Sequence, residues 1–193
     1  MDQNFDMKRL AHNGFTMIEI VIVIVLIGVI GSMAASILFQ GSDIYVNETN
    51  RQGFVSEARS SFWRIIREAQ GQLSPKDFSN SGMHNLGLKN SRGESIDFLK
   101  ESTGSFKRKI NDGSYKILSD ALSFSQSSFS YFDNNFNLIT PSQSTLSDEE
   151  AKTVHLIKLD LTFLENQDTI FLSSYIYPNN FRLGTPMTYH NYE

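Results

Sequence analysis

Gly14-Phe15-Thr16-Met17-Ile18-Glu19 opens an apolar run that continues from Ile20 to Phe39. From Phe15 to Phe39 there are 25 residues, and Thr16, Glu19, Ser32 and Ser36 are the only polar side chains among them. As a helix rising 1.5 Å per residue the stretch reaches about 37 Å, against a hydrocarbon core of about 30 Å, so it spans a bilayer with some tilt. Two features set it apart from an ordinary anchor. A carboxylate stands near its start, and a Gly-Phe junction immediately precedes it.

Charge inside hydrocarbon costs roughly 2.5 to 3.5 kcal/mol on insertion scales, so Glu19 is expected to have a functional partner. No Lys or Arg lies within a helical turn of it. A plain anchor whose acid is protonated, or snorkels to the near face, accounts for Glu19 but leaves the Gly-Phe junction without a reason. A secretory signal peptide is the other rival, with Ser32-Met33-Ala34 as a small-residue cleavage site. Its apolar core runs to roughly 7 to 15 residues, which is shorter than this one, and rarely holds an acid. Lys8 and Arg9, close before the run, predict a cytoplasmic N-terminus and an outward-facing chain beyond Phe39.

Gly-Phe-Thr-Met-Ile-Glu running into Ile-Val-Ile-Val-Ile-Val-Leu-Ile-Gly resembles the signature of type IV prepilins, in which a short polar leader ends in Gly and the mature chain begins with Phe. The resemblance implies cleavage between Gly14 and Phe15 by a membrane prepilin peptidase, N-methylation of Phe15, and assembly into a filament of packed N-terminal helices. Cleavage would free the α-amino group of Phe15, and that group on a neighbouring subunit is then a partner for Glu19. Such a pairing would fix the axial register and favour the filament, because lipid tails are as apolar as the side chains that would leave them. Tip-capping members of the family tend to lack this acid, so its presence implies subunits above this one.

The expected domain plan is a leader over residues 1–14, a transmembrane or filament-core helix over 15–40, the amphipathic half of the same helix over 41–72, and an antiparallel β domain over 73–193. Formal net charge is −4 for 193 residues, and beyond residue 40 there are 15 basic against 18 acidic residues. No basic patch follows from this count, so nucleic acid is not an expected partner. The chain has no Cys; disulfide staples and thiolate chemistry are therefore excluded. Many major pilins carry a disulfide-bounded loop, and this sequence departs from that pattern.

From Phe54, apolar residues recur at Val55, Ala58, Phe62, Ile65, Ile66 and Ala69, one stripe of a helix. Glu57, Ser60, Ser61, Arg64, Arg67 and Glu68 take the other faces; Trp63, at the edge of the stripe, reads either as an exposed anchor for a neighbouring subunit or, as expected, as a cover for the rim of the sheet. Gly71 offers a C′ position and Pro75 prevents continuation. Gly28, Gly31, Gly41 and Gly53 are the weak points of the helix. Residues 74–105 read as irregular chain with one or two short strands. Phe106 to Ile110 and Tyr115 to Leu118 flank Asn111-Asp112-Gly113, a hairpin signal. The alternation slips between Phe124 and Phe129, which predicts a break. In Val154 to Phe163, Ile157, Leu159, Leu161 and Phe163 form a dry face, and Lys158, Asp160 and Thr162 a wet one. Glu165 to Asp168 turns the chain into a return strand marked by Ile170, Leu172 and Ile176.

The predicted class is therefore α+β, a long N-terminal helix packed on an antiparallel sheet, pilin-like. Phe129-Ser130-Tyr131-Phe132-Asp133, the strand Ile157 to Phe163 and Tyr177-Pro178-Asn179-Asn180 together resemble the C-terminal half of minor pilins and J-type minor pseudopilins. Those proteins tend to show Arg-Asn after the Pro, where this chain has Asn179-Asn180.

No catalytic motif, metal site or cofactor-binding loop is recognisable, and an enzyme is not expected. His12, His84, His155 and His190 are scattered, and His155 reads as a surface residue. Asp133, Asn135 and Asn137 match the first ligands of a calcium loop, but Leu138 replaces the turning Gly and Ser144 the closing Glu, so a tight Asn-rich turn is expected instead. The resemblance implies a non-enzymatic subunit of a type IV pilus or type II secretion pseudopilus, held first in the inner membrane. Its implied partners are the prepilin peptidase, other pilins or pseudopilins, the inner-membrane assembly platform and, before assembly, membrane lipid. An adhesin displayed by the same helix is the alternative, with the Ser-rich segment and the loop from Thr140 to Lys152 as candidate surfaces.

Overall fold

The computed structural model describes residues 14–181. Helix α1, Met17–Gln70, is continuous over 54 residues and passes through Gly28, Gly31, Gly41 and Gly53 without a break. Contacts divide the chain into two compact units that meet at Thr49 and Asn50.

In the first unit, every side chain of α1 from Met17 to Thr49 is exposed. From Met17 to Phe39 it is apolar nearly all round, a surface unsuited to water, and it is long and apolar enough to cross a membrane. Two of its hydroxyls turn inward to their own backbone: that of Ser32 donates to the Val29 carbonyl at 2.8 Å, and that of Thr49 to the Tyr45 carbonyl at 2.8 Å. Neither leaves an unsatisfied polar group on the apolar surface.

The second unit is the α+β body, with the last turns of α1 on two antiparallel sheets. One sheet has the order β1-β2-β3-β4, from Asn85–Lys89, Ser95–Lys100, Phe106–Ile110 and Lys116–Ser119. The other has the order β6-β5-β7-β8, from Leu138–Ile139, Ser128–Phe132, Leu156–Glu165 and Asp168–Ile176. A short helix, α2, Asp148–Thr153, precedes β7. Two sheets stand where one was expected. The chain over 74–105 is more regular than anticipated, since β1 and β2 pair from Asn85↔Leu99 to Lys89↔Ser95. The Asn111-Asp112-Gly113 hairpin forms, with Asn111 itself at φ 48°. The predicted break before Phe129 is present, and β5 starts at Ser128.

Phe54, Ala58, Phe62, Ile65, Ile66 and Ala69 of α1 enter one core with Phe98, Phe106, Tyr131, Leu159 and Phe163. Burial of a side chain of this size is worth roughly 1.5 to 3 kcal/mol each, so this stripe holds the helix to the sheets. Polar contacts set its register. Ser61 is buried, contrary to expectation, because its hydroxyl donates to the Leu118 carbonyl of β4 at 2.9 Å. Glu68 receives both Nε and a terminal nitrogen of Arg108 at 2.8 Å, a bidentate pair that sequence spacing does not reveal. Val55 is only half-buried.

Other expectations are corrected. Trp63 is 64% exposed and does not cover a rim. Thr162 is buried, because residues 121–127 cross β7: its N–H donates to the Ser127 hydroxyl at 2.9 Å, and its own hydroxyl to the Gln126 carbonyl at 3.1 Å. His155 is half-buried, set edge-on to Tyr177 with centroids 5.9 Å apart. Gly71 is not left-handed. Helix α1 closes instead by tightened bonds from Gly71 to Glu68 and Gln72 to Ala69, and Ser74 then caps a 3₁₀ turn over Pro75–Phe78.

Lys100, at the end of β2, is 2% exposed. Its ammonium donates to the Ser127 carbonyl and lies 5.4 Å from the ring centre of Phe129 and 5.6 Å from that of Phe124. It has no carboxylate partner among the described residues, and burial pushes the amine down from 10.5 to about 8. Folding therefore favours the neutral amine, so the cost of burying the cation is full below pH 8 and is relieved as pH rises towards 10.5. Stability of the body should rise over that window by up to ~3 kcal/mol. Thermal unfolding followed by circular dichroism checks this: Lys100→Met should remove the rise, and a wild-type midpoint that does not climb there contradicts it.

Candidate functional site at the head of the helix

The Gly14-Phe15 peptide bond lies just before α1, outside its ladder of hydrogen bonds, and Phe15 is 81% exposed. The first intrahelical bond runs from the Ile20 N–H to the Thr16 carbonyl at 3.3 Å, which makes Thr16 the capping residue. Glu19 is three residues on. Its Oε2 accepts from the Thr16 N–H at 2.8 Å and from the Thr16 hydroxyl at 2.9 Å, and its own N–H points back to that hydroxyl at 3.4 Å. This reciprocal pattern is a capping box, with Thr and Glu at the spacing the motif requires.

The carboxylate is thus not without a partner in the single chain. No cation lies within a helical turn of Glu19, but the Thr16 hydroxyl three residues earlier does, and the Thr-x-x-Glu spacing is its signal in the sequence. Capping points the carboxylate back towards the N-terminal end of α1, where the helix dipole also favours negative charge. That end is where cleavage would place an amine. Lys8 and Arg9 lie outside the described residues.

The other candidate features resolve into local structure. Asp133 Oδ1 accepts from the Asn135 and Asn137 N–H groups, each at 2.8 Å, and Oδ2 from the Asn137 amide at 3.0 Å. These bonds, those from Asn137 foremost, hold its carboxyl below the usual range. The calcium-like residues build a turn, as expected. The Thr140 to Lys152 stretch is no free loop. The Leu146 N–H donates to the Ser81 carbonyl at 2.7 Å, its carbonyl accepts from Asn80 at 3.0 Å, and Leu146 and Ala151 are buried. Ser147 and Glu150 close a second capping box, which lowers the Glu150 carboxyl to about 2. His84 stacks on Phe124, with ring centres 4.3 Å apart. His12 and His190 lie outside the described residues.

Residues 9–35 match the family model described as the prokaryotic N-terminal methylation motif. The match takes in the Gly14-Phe15 junction, the Thr16–Glu19 box and the apolar start of α1. The motif is the signal of a type IV pilin-like prepilin, a structural rather than an enzymatic mark, and it implies processing by a prepilin peptidase and assembly with other pilins. No curated protein and no solved structure matches the chain.

If Thr16 holds the first turn, Thr16→Val removes the hydroxyl at nearly constant volume and should cost that turn about 1 kcal/mol. In detergent micelles, amide exchange in the turn containing Ile18 and Glu19 should speed up about fivefold, with Thr16→Ser close to wild type; equal protection in all three proteins contradicts the cap.

Proposed function

We propose that the chain is a minor pilin or minor pseudopilin, cut between Gly14 and Phe15, methylated at Phe15, and assembled through α1 into a type IV pilus or a type II secretion pseudopilus. The observation that carries this reading is the carboxylate of Glu19, held by Thr16 at the head of an exposed apolar helix, four residues after Phe15 and within the methylation motif.

Before assembly, residues 15–40 span the inner membrane with the leader, Lys8 and Arg9 on the cytoplasmic side and the β domain outside. Apolar helix contacts alone give little preference for a filament over lipid, whose tails are equally apolar. A charge buried in hydrocarbon supplies the preference, because the two Thr16 donors relieve it only in part. A neighbour's Phe15 ammonium adds a charge-assisted bond to the same carboxylate, which is stronger than the neutral ones it holds already. The pairing also fixes how far one helix is displaced along the next. Thr16 acts as a positioning residue, keeping the carboxylate aimed at the end of the helix from which that amine is offered.

Glu19→Ala should leave the protein membrane-inserted and yet at least tenfold depleted from sheared filaments, as read by immunoblot against the membrane fraction. Incorporation at the wild-type level contradicts the pairing.

A further inference from the structure

Strand β4 is an edge of its sheet, paired on one side with β3. On its other side α1 approaches, and the hydrogen bond that joins them is the one from Ser61 to the Leu118 carbonyl. Beside that bond lies an open groove of about 760 Å³ between α1 and β4. The β3–β4 register skips Leu118, which turns its carbonyl to α1, and the rest of β4 keeps the free side of an edge strand towards the groove.

The walls are unusual for this chain. Trp63 is 64% exposed and Ile117 57% exposed, and both line the groove. Arg64, Arg67, Arg108 and Lys116 line it as well, and no carboxylate does. Arg108 is neutralised by Glu68, whereas Arg64, Arg67 and Lys116 are in no ion pair among the described residues. A formal charge of −4 conceals this cationic groove, because the residues that form it come from two elements about fifty positions apart.

We propose that the groove docks an extended acidic segment of a partner protein, laid along β4 as an added strand. A strand offers both donors and acceptors to the free edge of β4, which a polyphosphate chain does not. Alternate side chains of such a strand point to opposite faces: on the α1 side carboxylates meet Arg64, Arg67 and Lys116, with Trp63 one turn of helix from Arg67, and on the other side the intervening apolar residues meet Ile117. A second copy of this chain is a poor source of the acid. Asp97 is paired with Lys109 at 3.1 Å, Glu101 with Lys107 at 2.7 Å and Asp160 with Lys158 at 2.8 Å, and Glu150 is held in its own cap. The surface acids of this body are largely engaged at home.

Trp63 is the only Trp in the chain and reports directly on the groove. The test titrates the full-length protein, in non-ionic detergent, with an acetylated and amidated peptide of alternating Glu and Val, seven residues long. A saturable blue shift of the Trp63 emission is expected. Binding should weaken at least tenfold for the Arg64→Gln/Arg67→Gln pair and for Lys116→Gln, both of which change exposed side chains. It should weaken at least tenfold too for the same peptide N-methylated at alternate amides, which keeps its charge and loses its strand pairing. Absence of a shift, or binding indifferent to N-methylation, overturns the proposal. So does tighter binding of a single-stranded oligonucleotide of equal charge, or a change in the protein's own association state on Arg64→Gln/Arg67→Gln.

Discussion

A carboxylate set among apolar residues must be satisfied by something, and in the single chain Thr16 does it. Its N–H and its hydroxyl both reach Glu19, and they do so because the chain turns into α1 at this residue. The start of the helix, the orientation of the acid and the exposure of the junction at Gly14-Phe15 are thus one local structure. Two neutral donors are fewer than a carboxylate can accept. The acid therefore remains open to a further partner, which on the proposed function is the α-amino group of a neighbouring subunit.

The same helix carries a second obligation. Over residues 17–39 it presents apolar side chains on all sides, whereas from Phe54 onward it presents a stripe that is closed over by the sheets. The switch comes from the sequence alone: charged and hydroxylated residues appear on three faces after Gly41. Apolar burial supplies most of the attachment of the stripe, and Ser61 with Glu68 decide where along the sheet it settles, since each has one matching group, the Leu118 carbonyl and the Arg108 guanidinium. Lys100 ties β2 to the Ser127 segment that crosses β7, and so links the two sheets at the cost of an unneutralised buried amine.

Much of this architecture is legible without coordinates, because local rules and tertiary demands agree. The stripe from Phe54 to Ala69, the Asn111-Asp112-Gly113 hairpin and the alternation of Ile157, Leu159 and Leu161 each follow from one periodicity. Where sequence reading fails, a distant segment has changed a residue's surroundings. Thr162 and Ser61 look wet by period but are covered by residues 121–127 and by β4. Trp63 looks buried by type, yet it is 64% exposed on the wall of the groove beside β4. The groove beside Trp63 is invisible to any net charge, since Arg64 and Lys116 come together only when the sheet forms. Thr16 differs: its capping signal is local, a hydroxyl three residues before the acid, and no distant segment is needed to see it.

The central claim is that this helix is made by cutting, so that an amine appears next to a capped acid. Intact-mass analysis of the native polypeptide, with fragmentation of its N-terminal peptide, tests it most directly. The account requires a chain that begins at Phe15 and carries one added methyl group on its α-nitrogen; a chain that begins at Met1, after Ala34, or anywhere else contradicts it.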